Sequence, residues 1–201
     1  MEITHSERLM PTVDLLMREA GLDFGRLSGI AVAIGPGSFT GLRIGLASAK
    51  GLALASALPL FGIPTLEAMA RNLPFSRHPV CPMLNARKRE VYWALYRFEG
   101  ERLIRIASEA VSPPEEVANR IRGETVFLGD GAAEFAEALR RILGEKAIFA
   151  PPYARNARAS VVAEMGMERL RKGERDDLAG LVPLYVRRSE AEIKWGIEIG
   201  D

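Results

Sequence analysis

The sequence predicts an α/β protein, in which strands and helices alternate along the chain. Short, continuously apolar runs are separated by longer stretches with helical periodicity, and this alternation is typical of a layered α/β fold. A glycine-rich turn between one such run and the following helix is the second indication. Of the 201 residues, 48% are hydrophobic, which is enough for a packed core in one domain or two small lobes.

The first part of the chain is predicted to form a helix, a strand, a helix, a strand and a helix, in that order. Residues 4–20 form an amphipathic helix that a capping box of Thr4 and Glu7 opens. Pro11 predicts a kink in this helix or a helix start close to that residue. A run that is apolar on both faces predicts a strand over 30–34, in the middle of a sheet. The next elements are a helix over 39–57, a strand over 59–63 and a helix over 65–73.

Two prolines between residues 74 and 79 predict a boundary between an N-terminal lobe, 1–75, and a C-terminal lobe, 76–201. The second lobe begins with an antiparallel meander of strands at 80–84, 91–98 and 102–111. Five elements then complete the prediction: a short helix from Pro113, a strand over 125–128, a helix over 135–143, a short strand over 147–150 and a helix over 160–171.

Charge and cysteine content exclude several classes of function. The 27 basic and 26 acidic residues leave a net charge of +1, which argues against a protein that binds nucleic acid mainly by its net charge. Cys81 is the single cysteine, which excludes an intramolecular disulfide and argues against structural zinc. No apolar run is long enough to span a membrane, and the first residues lack signal-peptide features, so we expect a cytoplasmic protein without membrane contact.

The most informative segment is 35–45, which reads GPGSFTGLRIG. It follows a predicted strand and opens a helix, where backbone N–H groups point toward a bound anion. It fits neither the dinucleotide fingerprint, whose third glycine comes one residue earlier, nor the P-loop, which needs a lysine after the last glycine. Two interpretations stay open. One is a tight turn that needs glycine for positive φ, and the other is a phosphate-proximal loop of Gly35, Pro36, Gly37, Ser38 and Gly41.

The helix after this segment carries small residues on one face. Gly41, Gly45, Ala49 and Ala53 recur every four residues, so another helix can approach its backbone closely there. Glycine in a helix interior costs about 1 kcal/mol relative to alanine, so two glycines on one face indicate a close contact. That contact is either with the chain's own sheet or first helix, or with another subunit.

Several segments together resemble the TsaB (YeaZ) family over nearly the whole chain. They are HSE at 5–7, the glycine segment, GIPTL at 62–66, the pair at 86–87 with EVY at 90–92, and PLYVR at 183–187. The resemblance implies an actin-like, RNase H-like (ASKHA) fold with two lobes. The family begins with a hairpin that carries an Asp-Thr-Ser-like phosphate motif, ahead of the segment that matches His5. Because this chain starts four residues before His5, we expect the first strands of the N-terminal lobe to be missing and strand 30–34 to lie at a sheet edge.

The resemblance implies a role in forming N6-threonylcarbamoyladenosine on the adenosine next to the anticodon of tRNAs. It implies a scaffold subunit that is not catalytic by itself and acts with a TsaD-like catalytic subunit and a TsaE-like ATPase. In isolation the family forms a homodimer, and tRNA is reached indirectly through the complex. Both protein contacts are expected on the first helices, at Leu9, Val13, Leu16, Gly41, Gly45, Ser48, Ala49 and Leu52.

The catalytic paralogue holds a metal with a His-x-x-x-His pair, and the matching positions here are Thr65 and Met69. Neither side chain is a suitable partner for such an ion. We therefore predict no catalytic residue, no metal and no cofactor in this chain. Two alternatives remain: an actin-like nucleotide-binding enzyme of the small-molecule kinase type, and a stand-alone metallopeptidase.

Two basic clusters have two interpretations each. Residues 87–89 (RKR) precede an aromatic strand and are either an RNA-contacting hairpin or a solvated turn. Arg187 and Arg188, with Lys194 and Trp195, form either a weak basic patch or a solvated tail. Cys81 has no histidine close to it in the sequence, so we expect a buried structural thiol.

Overall fold

The chain forms one sheet of two strands and one of five, in a computed structural model that describes residues 5–187. The first sheet pairs β1 (Ile30–Gly35) with β2 (Leu60–Pro64) in parallel, and α2 (Phe39–Ser56) makes the crossover between them. A parallel pair needs such a crossover, because the second strand must begin again at the same end of the sheet. The N-terminal helix α1 (His5–Glu19) contacts α2.

The second sheet contains the predicted antiparallel meander, formed by β3 (Val80–Asn85), β4 (Val91–Glu99) and β5 (Arg102–Ser112). β6 (Thr125–Leu128) and β7 (Ala147–Phe149) continue the sheet in parallel on the other side of β3. The strand order is β5-β4-β3-β6-β7, so β3 is the central strand.

The remaining helices of the described chain are short, and they are α3 (Thr65–Ala70), α4 (Pro114–Arg120), α5 (Asp130–Glu134), α6 (Ala136–Leu143) and α7 (Ala159–Arg171). The last of them returns to the first sheet. A Cβ on Gly166 of α7 would lie 2.7 Å from the Cβ of Ala31 in β1, so the helix backbone lies directly on that strand. Helix α7 therefore packs with β1 and β2, although the lobe boundary predicted after residue 75 assigns it to the second lobe. That boundary stays a prediction.

The largest buried side chains belong to the five-stranded sheet. Trp93 and Tyr96 of β4 are each 1% exposed. Because successive strand residues point to opposite faces, Trp93 joins a cluster with Phe127 and helices α4 and α6, whereas Tyr96 joins a cluster with Leu66 of α3. The sheet is thus covered by apolar packing on both faces.

The structure differs from the prediction at three places: it contradicts the central position of strand 30–34, excludes one of the two alternatives for Pro11 and contains a helix that was not predicted. Within residues 5–187, β1 has β2 as its one neighbour and is mostly half-buried, so it is not a central strand; the edge position is the alternative that fits. Helix α1 begins at His5 and runs through Pro11, so it does not start near the proline. Helix α5 was not predicted, because five residues that include Gly131 give no helical periodicity.

Candidate functional site

The glycine segment forms the turn from β1 into α2, as predicted. The Ser38 hydroxyl accepts a hydrogen bond from the Gly41 backbone N–H at 3.3 Å and so caps the first turn of α2. The Ser38 carbonyl accepts the Leu42 N–H at 2.8 Å and starts the helical ladder. Ser38 and Gly41 are exposed, whereas Gly35 and Pro36 are buried and Gly37 is half-buried.

Position 35 must be glycine because a second segment of the chain crosses it too closely for a side chain. It has φ +123°, and a Cβ there would lie 2.8 Å from the Leu184 carbonyl oxygen. The Leu184 N–H donates to the Ile34 carbonyl at 2.8 Å, and the Gly35 N–H donates to the Thr65 hydroxyl at 3.1 Å. These contacts explain the glycine as part of a tight turn. The phosphate-proximal interpretation stays a prediction, and it now concerns the exposed end of the loop.

The crossing segment, residues 181–187, is named here the C-terminal strap. Arg43 of α2 donates to the Tyr185 hydroxyl at 2.9 Å and lies 3.9 Å from the centre of the Phe39 ring. At its other end Arg187 donates to the Ala86 carbonyl at 2.9 Å and pairs with the Glu90 carboxylate. The strap therefore connects the start of α2 with the β3–β4 turn. Residues 188, 194 and 195 of the second basic cluster lie outside the described residues.

The β3–β4 turn presents the first basic cluster in an unusual backbone conformation. Arg87, Lys88 and Arg89 have φ of 63°, 51° and 60°, and all three side chains are exposed. Consecutive left-handed residues other than glycine carry steric strain. The Asn85 side-chain oxygen supports the turn by accepting the Arg87 N–H at 2.7 Å. The exposure of the three side chains fits a solvated turn. The sequence did not predict the strained backbone of this turn.

Thr65 and Met69, where the resemblance implies that a metal-binding histidine pair is replaced, serve the fold in this chain. The Thr65 hydroxyl accepts the Gly35 N–H, and Met69 is fully buried in the cluster around Leu66. Within residues 5–187, no three His, Cys, Asp or Glu side chains come together at a spacing that would hold a metal ion. Cys81 is buried in the five-stranded sheet, as predicted, and burial raises the pKa of its thiol.

The expected partner residues on α1 and α2 differ in exposure. Leu16 is 59% exposed and Gly41 is exposed, whereas Ala49 is buried with Leu46 and Ala53 in the core. The others are half-buried, and they are Leu9, Val13, Gly45, Ser48 and Leu52. A Cβ on Gly45 would meet no atom within 4 Å, so the helix leaves open space there. The α1–α2 surface is defined from here on without Ala49, as Leu9, Val13, Leu16, Gly41, Gly45, Ser48 and Leu52.

A polar clamp that the sequence did not reveal joins α7 to β2. The Asp176 carboxylate accepts two hydrogen bonds from Arg169, at 2.9 and 2.6 Å, and one from the Gly62 N–H at 2.6 Å. The hydrogen bonds from Arg169 are the main cause that lowers the pKa of Asp176, and the Gly62 N–H adds to it. Glu174 accepts a third Arg169 hydrogen bond at 2.9 Å. The sequence could not predict this clamp, because Asp176 lies 114 residues from Gly62 and no local pattern relates the two.

The clamp borders a cleft of about 720 Å³ between the ends of α2 and α7. Leucines line one part of the cleft, and Glu174, Arg175, Asp176 and Asp177 line another. Asp177 accepts hydrogen bonds from the backbone N–H groups of Ala179 and Gly180, at 3.3 and 2.8 Å. All three carboxylates are thus bound by the chain itself, and the arrangement stabilises the junction of the two helices. Within the described chain, no helix is long and apolar enough to cross a bilayer.

The alternation of strands and helices and the two sheets show an α/β protein. Its similarity to the TsaD family model and to solved YeaZ structures assigns it to the actin-like, RNase H-like (ASKHA) class. The family model described as TsaD, tRNA N6-adenosine threonylcarbamoyltransferase, matches residues 2–195.

Two relatives and a solved structure identify the family within this class. The tRNA threonylcarbamoyladenosine biosynthesis protein TsaB of Bacillus subtilis (strain 168) is 33% identical over 194 residues, which cover 95% of this chain and 83% of that protein. The protein of the same name from Escherichia coli (strain K12) is 37% identical over 138 residues, 63% of this chain and 58% of that one. The structure of YeaZ from Pseudomonas aeruginosa aligns with a TM-score of 0.76 at 28% identity, over 90% of this chain and 84% of that one. The chain therefore belongs to the TsaB (YeaZ) family, as the five resembling segments together predicted.

Proposed function

We propose that this protein is a scaffold subunit, not catalytic by itself, in the formation of N6-threonylcarbamoyladenosine on the adenosine next to the anticodon of tRNAs. The protein takes part in tRNA threonylcarbamoyladenosine biosynthesis, the role for which its relatives are named. The observation that carries the scaffold role is the α1–α2 surface, which combines an exposed leucine with open space over a helix backbone.

The α1–α2 surface suits close contact with another helix. Gly45 leaves open space over the backbone of α2, and Gly41 is exposed at the start of that helix. Leu16 offers apolar area on α1, the helix that contacts α2. A single helix loses stability through interior glycines, so their presence on a face without a close neighbour favours a contact made with a partner. A TsaD-like catalytic subunit is the proposed partner, and in its absence a second copy of this chain takes the same surface.

The proposed assembly places the chemistry on the partner. Thr65 and Met69 hold backbone and core positions in this chain, which supports a role without its own metal chemistry. A TsaE-like ATPase acts with the pair, and tRNA is reached through the complex in the cytoplasm. The competing function, an actin-like nucleotide-binding enzyme, predicts ATP binding and turnover by this chain alone. Calorimetric titration with ATP and Mg²⁺ separates the two, and turnover by the isolated chain would contradict the scaffold role.

A Gly45→Leu variant tests the α1–α2 surface directly. The added side chain enters the open space over α2, so the fold tolerates it while a partner helix is pushed away. We expect at least about a tenfold loss in affinity for the TsaD-like subunit, equivalent to about 1.4 kcal/mol. Isothermal titration or co-purification measures the association, and circular dichroism confirms the fold.

Gly51→Leu is the matched control in the same helix. Gly51 is exposed and also has no atom within 4 Å of an added Cβ, but it lies about 120° around the helix from Gly45. We expect Gly51→Leu to leave the association unchanged. Association that survives Gly45→Leu in a folded protein, or is lost only with Gly51→Leu, would show that the partner binds elsewhere.

A further inference from the structure

The segment between α3 and β3 holds a strained aromatic residue at the surface. The Ser76 N–H donates to the Leu73 carbonyl at 3.3 Å, which closes a four-residue turn. Phe75 is third in that turn, directly after a proline, and has φ +62°, a conformation that this place in a type II turn normally reserves for glycine or asparagine. Its ring is 66% exposed, so burial of the ring does not offset the strain of the backbone.

A second exposed aromatic residue lies beside this turn. The Asn72 side-chain amide donates to the carbonyls of Ala154 and Asn156, at 2.9 and 2.7 Å. These bonds hold the Phe75 turn against the short 3-10 turn Pro152–Ala154, which carries Tyr153. The Tyr153 ring is 72% exposed. Phe75 and Tyr153 are distant in sequence, but they lie on two exposed segments that Asn72 joins.

Each of these rings is followed, two residues later, by an exposed arginine. The pattern of aromatic, small residue and arginine occurs at 75–77 (FSR) and again at 153–155 (YAR). Arg158 adds a third guanidinium group, which lies 5.8 Å from the centre of the Tyr153 ring and donates to the Tyr153 carbonyl at 2.9 Å. The aromatic–arginine surface is defined here as Phe75, Arg77, Tyr153, Arg155 and Arg158.

Carboxylates are absent from both stretches of chain that form this surface. Residues 68–89 and 146–163 contain no Asp or Glu. In the part of the chain from 5 to 187, none of the three guanidinium groups has a carboxylate within 4.0 Å. Arg71, on the inner side of the same segment, differs because Glu168 neutralises it at 2.7 Å. The surface thus presents three positive charges next to two bare rings.

We infer that the aromatic–arginine surface binds single-stranded RNA. Unpaired bases stack on exposed rings, and guanidinium groups bind phosphate oxygens in a forked geometry. Aromatic residues and arginines are also common at protein interfaces, so the charge decides in favour of RNA: three cations without carboxylate partners suit a chain of phosphates. In both segments an arginine follows the ring two residues later, which matches the alternation of bases and phosphates along a strand. The inference adds a direct RNA contact to the function proposed above and does not depend on the scaffold role.

The test uses the full chain and a fluorescently labelled oligouridylate of about twelve nucleotides, a length that spans a typical single-strand site. Fluorescence anisotropy gives the dissociation constant between about 50 and about 200 mM salt. Each neutralised phosphate of a single strand contributes about −0.7 to the slope of log K against log salt, so three contacts give about −2. The double variant Arg77→Ala, Arg155→Ala should reduce the slope to about −0.7. A natural chain that does not bind the oligonucleotide overturns the inference.

Ring variants separate binding from folding. Phe75→Asn suits the positive φ, so we expect an unchanged or raised melting temperature together with about tenfold weaker RNA binding. Tyr153→Ser removes the other exposed ring, and we expect a similar loss of binding at an unchanged melting temperature. RNA binding as tight as that of the natural chain in both ring variants would contradict the inference.

The matched control removes two cations from the other exposed basic turn, with Arg87→Ala and Arg89→Ala. We expect this variant to bind RNA within about twofold of the natural chain, apart from screened long-range attraction. Loss of binding in this control, with binding kept in the ring variants, would place RNA at the β3–β4 turn and overturn the inference. Polyglutamate of equal length should fail to displace the RNA; displacement as efficient as that by unlabelled oligouridylate would identify a site for acidic proteins instead.

Discussion

The two sheets of this protein differ in how completely the described chain covers them. The five-stranded sheet buries Trp93, Tyr96 and Phe127 between helices on both faces. The β1–β2 sheet is covered by α2, by α7 and by the C-terminal strap, and the helices beside it leave Leu16 and Leu54 59% and 74% exposed. Exposed apolar side chains of this size commonly mark a place where another molecule binds. The five-stranded sheet therefore forms the closed core, and the open surface lies beside the β1–β2 sheet.

Trp93→Ala is the strongest test of the closed sheet. Trp93 is 1% exposed, so truncation leaves a large cavity, and we expect the free energy of unfolding to fall by about 3–5 kcal/mol. Urea denaturation followed by circular dichroism measures the loss. Trp93→Phe is the control, with an expected loss of about 1–2 kcal/mol, because the indole N–H makes no hydrogen bond among the described residues and its removal breaks none. A loss below about 1 kcal/mol for Trp93→Ala, an ordinary value for any substitution, would contradict the comparison.

Asp176→Asn tests how far the β1–β2 sheet depends on its polar clamp. The variant weakens charge-assisted hydrogen bonds to Arg169 and Gly62, so we expect a loss of about 2 kcal/mol at pH 7. The pKa of Asp176 is lowered in the folded state, so its contribution is complete above the unfolded pKa of about 3.9 and is lost as the pH falls toward the lower, folded value. The stability difference between the two proteins should therefore begin to shrink below about pH 4 and vanish once the pH is below the folded pKa of Asp176. A stability difference that persists unchanged there would assign the effect to packing.

Two glycine variants distinguish the closed and open faces beside the first sheet. Gly166→Ala forces a Cβ to 2.7 Å from Ala31, so we expect a net loss of about 1 kcal/mol after the gain in helix propensity. Gly45→Ala fills open space, so we expect the isolated chain to gain up to about 1 kcal/mol. Thermal denaturation gives both values. The comparison fails if the two substitutions change the melting temperature in the same direction.

Local sequence predicted most of the elements, because their apolar runs end at glycine, proline or polar turn residues, which interrupt strands and helices. Strand β6 was predicted with its observed bounds, and α2 was predicted to within one residue at its C-terminus. The glycine segment also predicted the turn, and together with four other segments it predicted the family. Helix α5 was not predicted because it has no periodic pattern. Its backbone at Gly131 instead packs closely against the end of β3.

The candidate surfaces were predicted in part. The small residues of α2 indicated the face that includes Gly45, but the same spacing included Ala49, which the structure buries against Leu60. A four-residue spacing turns by about 40° at each step, so a long stripe rotates from the surface into the core. The aromatic–arginine surface had no local signal beyond the two short patterns FSR and YAR, because the Asn72 hydrogen bonds that join its two halves span 82 and 84 residues of sequence.

The sequence by itself determined the order of strands and helices, the glycine turn and the family, since each can be identified from short segments considered one at a time. The tertiary structure decided which side of α2 stays open, why Gly35 must be glycine, and which distant groups meet at Asp176 and beside Phe75. These depend on where the chain returns to itself. Residues 154–187 come back to the first sheet and to α3, and burial there is set by packing across the whole fold rather than by any local pattern.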